Sequence, residues 1–319
     1  MPGTWQGRVQ SGTMYAYRLD HLPACARLMQ LTRQQLLLLA FLTLVWGFNW
    51  PVMKLGVTAY PPLTFRALCI WLGLLVLALL MVARRTPFFV PRDKFREVFR
   101  LAMTNMLIWN VLIILAVKNL SSGRSAILGY TMPIFSALLG ACFFGARLKP
   151  RQWLGVAAAA LGVALLLWYE LTHLSGRPVA VLCALAAAAI WALGTHQLRN
   201  TKVGIATLTL SFWMMLITAV LLTPLCAAVE YPQWQAPSPQ VWAAIAYNAV
   251  LVFGFAQTAW LTLARTLPPI ASTLSVMMIP ILGVFAGAIG LGEVLHWQDW
   301  AAVMLMVVAI ASVLAPSRT

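Results

Sequence analysis

Apolar residues come in long, nearly unbroken blocks along this chain, and short polar turns separate the blocks. Each block is close to the roughly 20 residues that an α-helix needs to cross a lipid bilayer. The pattern therefore predicts an all-α integral membrane protein. Its ten predicted transmembrane helices lie near residues 35–55, 62–82, 98–117, 122–144, 151–169, 179–198, 205–227, 241–263, 269–291 and 297–315.

The basic residues predict how these spans are oriented. Of the 22 lysines and arginines, all but Lys54, Arg66, Lys118, Arg124 and Arg177 fall in segments that the alternation of spans assigns to one side. Because cytoplasmic loops carry the excess of basic residues, this side is predicted to be the cytoplasm. With an even number of spans, both termini are then cytoplasmic.

Composition narrows the class of protein further. Hydrophobic residues make up 62% of the chain and charged residues only 9%, whereas soluble domains are about 25% charged. The formal charge of +15 lies mainly in loops, where it sets topology, so we expect no nucleic-acid partner. Residues 1–34 are polar and lack the apolar core of a signal peptide, which predicts a cytoplasmic tail. The sequence contains no P-loop and no CxxC pair, and we expect neither a cofactor nor a metal.

The second half of the chain repeats the first. Shifted by 147 positions, residues 118–168 match a later helical hairpin with a proline, a glycine-containing turn and a tryptophan at the same places. The matched pairs include Leu120 with Leu267, Ser125 with Ser272, Pro133 with Pro280, Gly140 with Gly287, Gly145 with Gly292 and Trp153 with Trp300. The turn is basic in the first copy and not in the second, so the copies are predicted to face opposite sides of the membrane. This is an inverted-topology repeat.

A shorter match at an offset of 145 aligns Trp46 with Trp191 and extends the repeat to the first span of each half. The chain at this point resembles the drug/metabolite transporter superfamily, EamA type. The resemblance covers residues 35–315 and rests on Trp46, Gly47, Asn49 and Lys54 in the first span, Arg66 in the second, and the paired hairpins ending in Gly292-Glu293. The first copy departs from this pattern, because it reads Gly145-Ala146.

The resemblance implies ten-helix secondary exporters or permeases with a central cavity between two EamA-like repeats, here residues 35–169 and 179–315. In bacteria such proteins lie mostly in the inner membrane. In an inverted-repeat transporter, substrates bind near the midplane between the repeats. The substrate-binding candidates are therefore polar or aromatic side chains deep within the spans: Trp46, Asn49, Asn105, Trp109, Asn110, Tyr130, Trp191, His196, Gln257 and Trp260. The alternative is that each amide only bonds a neighbouring helix.

Two cations and two prolines complete the set of candidates. Lys54 and Arg66 flank a predicted outer turn, where cationic groups favour a carboxylate-bearing substrate; the alternative is snorkelling to the headgroups. Pro133 and Pro280 are predicted gating hinges, or they only bend their helices around a cavity. Imidazole is the side-chain type that can change its charge near neutral pH, and a proton role for His196, which is predicted to lie within a span, is a hypothesis.

All seven acidic residues fall in the tail, in loops or at span ends, which disfavours a proton antiporter for lipophilic cations. We therefore predict a transporter that is not an enzyme. It moves a small zwitterionic or anionic metabolite, such as an amino acid or an amino-acid-derived compound, by alternating access. Export is what the resemblance implies. A carrier of neutral drugs or sugar derivatives, a non-transporting receptor or scaffold, and a lipid-modifying membrane enzyme with His296 and Asp299 at its site remain open alternatives.

Overall fold

The computed structural model describes residues 33–143, 150–172, 177–201, 203–260 and 269–314. Its elements are all helical within these ranges. We number the main helices α1 Arg33–Ala59, α2 Pro62–Ala83, α3 Arg92–Asn119, α4 Ser122–Phe143, α5 Pro150–Thr172, α6 Pro178–Asn200, α7 Thr207–Glu230, α8 Pro239–Trp260, α9 Pro269–Leu291 and α10 Trp297–Leu314. A short 3₁₀ turn, Tyr231–Gln233, follows α7.

The helices are those of a multi-pass membrane protein. Seven of them are long and apolar enough to cross a bilayer. Helices α5, α9 and α10 contain shorter apolar stretches, Pro150–Leu166, Met278–Leu291 and Trp297–Ser312. Large apolar side chains such as Leu79 and Ile289 are exposed on the outer surface of the bundle, where lipid replaces water as the solvent. Ten crossings and cytoplasmic termini stay predictions.

The helices coincide with the predicted apolar blocks to within a few residues, except at the start of α3. The predicted span begins at 98, but α3 begins at Arg92. Its first turns mix charged residues with Phe95 and Phe99. An unbroken apolar run, which was the criterion for a span, therefore begins only after them. The predicted tail lies outside the described residues except for its last two positions, and the basic turn at 144–149 lies outside them too.

Proline sets the start of half of these helices. Proline favours the first position of a helix, because its missing N–H is one that has no partner there anyway. Five helices begin in this way, at Pro62, Pro150, Pro178, Pro239 and Pro269. The prolines therefore favour the points at which these five apolar blocks become helical.

Contacts between helix ends show that the two halves run in opposite directions. Lys54, near the end of α1, donates hydrogen bonds to the carbonyls of Val117 and Lys118 at the end of α3. Arg177, just before α6, donates to the carbonyl of Asn119 at the same place. The end of α1 and the start of α6 therefore lie at one end of the bundle. We call it the Glu293 end, after a residue of the α9–α10 turn, and the other one the His196 end.

The helices pair across the two halves in a symmetric way. Helix α1 packs along α9, and its counterpart α6 packs along α4. Helix α1 also packs on α8, and α6 packs on α3 in the same manner. The pairs α2 with α7 and α5 with α10 join equivalent helices. Exchange of the halves thus preserves the pairing, which is what an internal repeat requires.

Irregular helix geometry occurs where the helices approach the centre of the bundle. Helix α4 has two segments, Ser122–Gly129 and Met132–Phe143, with Pro133 at the start of the second. Its counterpart α9 is continuous through Pro280. Helices α3 and α8 contain π-helical segments at repeat-equivalent positions, Met103–Leu107 and Asn248–Ala256. Whether either proline is a hinge stays a prediction.

Candidate functional site

A cavity with about 750 Å³ of space free of protein atoms, part of it open to the outside, lies between the halves. Helices α1, α2, α3, α4, α6 and α8 supply its walls. The structure brings nine of the ten substrate-binding candidates to this cavity: Trp46, Asn49, Asn105, Trp109, Asn110, Tyr130, Trp191, Gln257 and Trp260. The break in α4 and both π-helical segments border the same space, which fits the occurrence of π-helical turns at functional sites.

Tryptophan rings form one continuous wall of the cavity. The ring of Trp191 stands edge-on to Trp109, with ring centres 4.2 Å apart, and to Trp46, at 6.5 Å. Trp46 also contacts Trp260, at 5.5 Å. Rings from α1, α3, α6 and α8 therefore meet across the boundary between the halves. Such a wall offers ring faces and edges to an apolar or aromatic part of a ligand.

Arg66 carries a charge into this aromatic cavity, and its residue is only 2% exposed. Nη1 donates to Asn248 Oδ1 at 3.4 Å, Nη2 lies 2.6 Å from the Met53 sulfur, and the guanidinium lies 5.6 Å from the centre of the Phe253 ring. The amide is a long contact, the thioether is a weak acceptor, and the aromatic ring is no ion-pair partner. Among the described residues no carboxylate pairs with Arg66, and its Nε has no hydrogen-bond partner.

The amide side chains of the cavity differ in how far they are already engaged. Asn110 donates to the Met106 carbonyl at 2.7 Å, and Asn105 donates to the carbonyls of Leu101 and Gly194. Asn49 is buried, and its Oδ1 has no partner within the described part of the chain. A buried acceptor without a partner costs free energy unless a ligand or water satisfies it. Asn49 and Arg66 therefore each keep hydrogen-bonding capacity that their described neighbours do not satisfy.

Two of the residues predicted to contact substrate, Lys54 and His196, are not among those that line the cavity. Lys54 was expected to share a vestibule with Arg66, but its ammonium donates to two carbonyls at the end of α3, each at 3.1 Å. His196 lies toward the other end of the bundle, where its Nε2 contacts Ser136 Oγ at 3.2 Å and the Ser136 carbonyl at 3.0 Å. The structure thus gives both side chains contacts between helices, while their part in transport stays a prediction.

The cavity also includes residues that the sequence analysis passed over. Trp50, Met53, Met106, Ile113, Val252 and Phe253 line it beside the predicted set. Helical spacing would have found most of them, because residues three, four and seven positions apart share a helix face. Trp50 and Met53 follow Trp46 at four and seven positions, and Ile113 follows Trp109 at four.

Polar contacts join the two halves at the Glu293 end of the bundle. Glu230, at the end of α7, accepts hydrogen bonds from the backbone N–H groups of Leu63 and Thr64 at 2.9 and 2.7 Å. Tyr60 Oη donates to the carbonyl of Gln235. Burial, and secondarily the nearby charge of Glu230, raise the pKa of Tyr60, so its hydroxyl stays a neutral donor. These contacts join the start of α2 to the end of α7.

Comparison with known proteins places the fold in a family. The model of the EamA-like transporter family matches residues 34–168 and again residues 178–315. The chain belongs to the EamA-like transporter family. The two matched segments are the two halves described above, so the internal repeat of the chain is the repeat of the family.

Other members of the family resemble the chain along most of its length. The uncharacterized transporter YoaV of Bacillus subtilis is 23% identical over 79% of this chain and 86% of its own. The uncharacterized inner membrane transporter YedA of Escherichia coli is 25% identical over 85% and 88%. A probable amino-acid metabolite efflux pump of E. coli is 28% identical over 60% and 62%. A solved crystal structure with 20% identity covers 88% of this chain and 96% of its own at a TM-score of 0.62, which shows the shared fold.

Proposed function

We propose that this EamA-like transporter is a secondary transporter of the bacterial inner membrane that exports a small zwitterionic or anionic metabolite, such as an amino acid or an amino-acid-derived compound. It works by alternating access, in which the two five-helix halves rock about the cavity and expose it to one side at a time. Ten spans with both termini in the cytoplasm complete this proposal. The substrate and the bilayer are its partners.

The surroundings of Arg66 are the observation that supports a negatively charged group on the substrate. A fully buried cation whose described partners are an amide, a thioether and a ring lacks the compensation that a buried charge needs. Its planar fork of donors matches a carboxylate, which accepts two parallel hydrogen bonds. A carboxylate bound at Arg66 would supply the missing negative charge. The free Oδ1 of Asn49 would accept from a donor on the same ligand, such as an ammonium group.

The aromatic wall and one relative support an amino-acid-like compound. Four tryptophans leave room for an apolar or ring-bearing group beside the polar pair. One relative is named a probable amino-acid metabolite efflux pump, and export is inferred from that name and from the family resemblance. Because the cavity walls are mainly aromatic, they also support a second candidate function. This is a carrier of neutral drugs or sugar derivatives of the same superfamily.

A comparison of metabolites in cells tests this proposal. Cells that express the protein are compared with cells that express a Trp46→Ala/Asn49→Ala variant, and intracellular and extracellular compounds are measured by untargeted mass spectrometry. We expect one carboxylate-bearing compound to move into the medium only with the intact protein. A neutral compound in its place would favour the second candidate. Equal profiles for the two proteins would contradict both export and the assignment of the cavity.

A further inference from the structure

Glu293 joins the two halves at one end of the cavity. It follows the end of α9, where Gly292 adopts a left-handed conformation with φ of 64°. Residues other than glycine rarely adopt this conformation. This turn sends the Glu293 side chain back toward α4. Its Oε1 accepts from the backbone N–H of Ser122 at 2.7 Å, and its Oε2 accepts from Ser122 Oγ at 2.8 Å and the N–H of Gly123 at 3.3 Å.

The chemistry of these contacts suits a carboxylate. The first N–H groups of a helix have no partner within the helix, and the helix dipole makes this end positive. Glu293 satisfies two of these N–H groups at the start of α4 and carries the negative charge that the dipole favours. The contact is therefore charge-assisted, although its partners belong to the other half of the protein.

Helices α4 and α9 pack tightly around the Glu293 carboxylate. A methyl group on Gly287 of α9 would overlap both Ser122 Oγ and the Glu293 carboxylate. A methyl group on Gly123 would lie 3.1 Å from the Val284 side chain of α9. Helices α4 and α9 thus approach closely at two glycines, and the carboxylate sits at the point where they meet.

An ion pair lies beside the Glu293 contact. Arg124, the next residue of α4, donates from Nε and Nη2 to the two carboxylate oxygens of Asp299 in α10, at 2.7 and 3.2 Å. Both side chains are buried. Three consecutive residues of α4 are therefore held by two carboxylates of the second half.

The two ends of the cavity differ in this respect. The repeat aligns Glu293 with Ala146, so the equivalent position of the first half carries no carboxylate. At the His196 end, the halves meet through His196 with Ser136 and through Asn105 with the Gly194 carbonyl. Thr201 also donates there to the carboxylate of Glu97 in α3. The asymmetry therefore lies at the Glu293 position, because carboxylates at other positions contact the opposite half at both ends of the bundle.

We propose that Glu293 is a latch that holds the cavity closed at the Glu293 end, and that the transport cycle breaks its contacts with Ser122 and Gly123 to open this end. Ser122, which Glu293 contacts, precedes Gly129 by seven residues, or about 10 Å along α4, and Gly129 lines the cavity. The Arg124–Asp299 ion pair joins the halves at the same end and acts with the latch. This inference rests on the alternating access proposed above, because a latch has a role only where the cavity opens at one end at a time.

Side-specific labelling of a cysteine in the cavity tests the latch without knowledge of the substrate. The reporter is Ile113→Cys, placed in the full-length chain after its five native cysteines are replaced by serine or alanine. The protein is reconstituted into vesicles, and a membrane-impermeant maleimide is added to populations of each orientation. The variants are Glu293→Ala and Gly287→Ala, of which the second displaces the carboxylate without removing its charge. Asp93→Asn removes an exposed carboxylate at the other end and is the matched control.

We expect Glu293→Ala to raise the labelling rate from the Glu293 end about tenfold, which corresponds to about 1.4 kcal/mol. Labelling from the His196 end should fall, because opening one end closes the other. Gly287→Ala should shift labelling in the same direction, and Asp93→Asn should leave it unchanged. Rates that stay at the parent value in both latch variants would overturn the latch, and so would a rise from both ends, which marks general loosening. Labelling from one end only, in the parent and in every variant, would overturn alternating access itself.

Discussion

Replacement of Arg66 by methionine should separate the stability of the protein from its function. Methionine is unbranched, flexible and apolar, so it can take the place of the arginine stem beside Met53 and Phe253, although it is shorter than arginine. If the guanidinium is present to bind a carboxylate, Arg66→Met should remove substrate binding. The fold should be unaffected or more stable, because a buried charge with weak partners is lost.

The expected loss of substrate affinity and the expected change in stability differ enough to be told apart. A hydrogen bond to a charged group contributes about 1.5–3 kcal/mol. Loss of a two-bond contact between Arg66 and a carboxylate should thus weaken binding by roughly 100-fold or more, at about 1.4 kcal/mol for each factor of ten. Replacement of buried ionic groups by apolar ones is often neutral or stabilising by about 1–4 kcal/mol. The melting temperature in detergent should therefore stay the same or rise.

Two measurements on the same preparations check this prediction. Transport of the compound identified in cells gives the apparent affinity, and thermal unfolding in detergent gives the stability. Arg66→Lys is the matched control, because it keeps the charge but lacks the planar fork, and its affinity should lie between those of the parent and Arg66→Met. A melting temperature that drops by several degrees while the affinity is unchanged would refute the reasoning and make Arg66 a structural residue.

Three further substitutions test separate parts of the structure. Trp191→Ala removes ring contacts worth about 0.5–1.5 kcal/mol each, and we expect about a tenfold weaker apparent affinity; an unchanged value would remove the ring from the binding wall. Lys54→Met should lower stability by about 1.5–3 kcal/mol without changing affinity, and an affinity loss as large as that of Arg66→Met would show that Lys54 contacts substrate. Asp299→Asn breaks a buried ion pair, at about 3–5 kcal/mol, so the melting temperature should fall; Arg124→Gln/Asp299→Asn should recover part of this loss, and no recovery would contradict the pairing.

The long apolar blocks were enough to place the helices, because a span must be both apolar and of a certain length. The repeat was also visible in the sequence, through prolines, glycines and tryptophans at fixed offsets. Most of the residues that line the cavity were predicted for a related reason. Polar and aromatic side chains in the middle of a span are costly against lipid, so they collect between the halves.

The sequence was less informative about which way each side chain points. Lys54 follows Met53 by one position, about 100° around the helix, and this rotation carries it from the cavity to the end of α3. His196 follows Trp191 by five positions, about 140° around the helix, and it contacts Ser136 instead of the cavity. Such rotations are set by packing between distant helices. The contact of Glu293 with Ser122 depends on the same packing, and spacing along the chain does not reveal it.

Counterflow in proteoliposomes tests the central claim most directly. Vesicles with the purified protein are loaded with the unlabelled compound identified in cells, and the labelled compound is added outside. A carrier that works by alternating access should accumulate label transiently above its equilibrium level, and the Trp46→Ala/Asn49→Ala variant should not. An absent overshoot, or an equal overshoot in that variant, would contradict transport of this compound through the cavity between the halves.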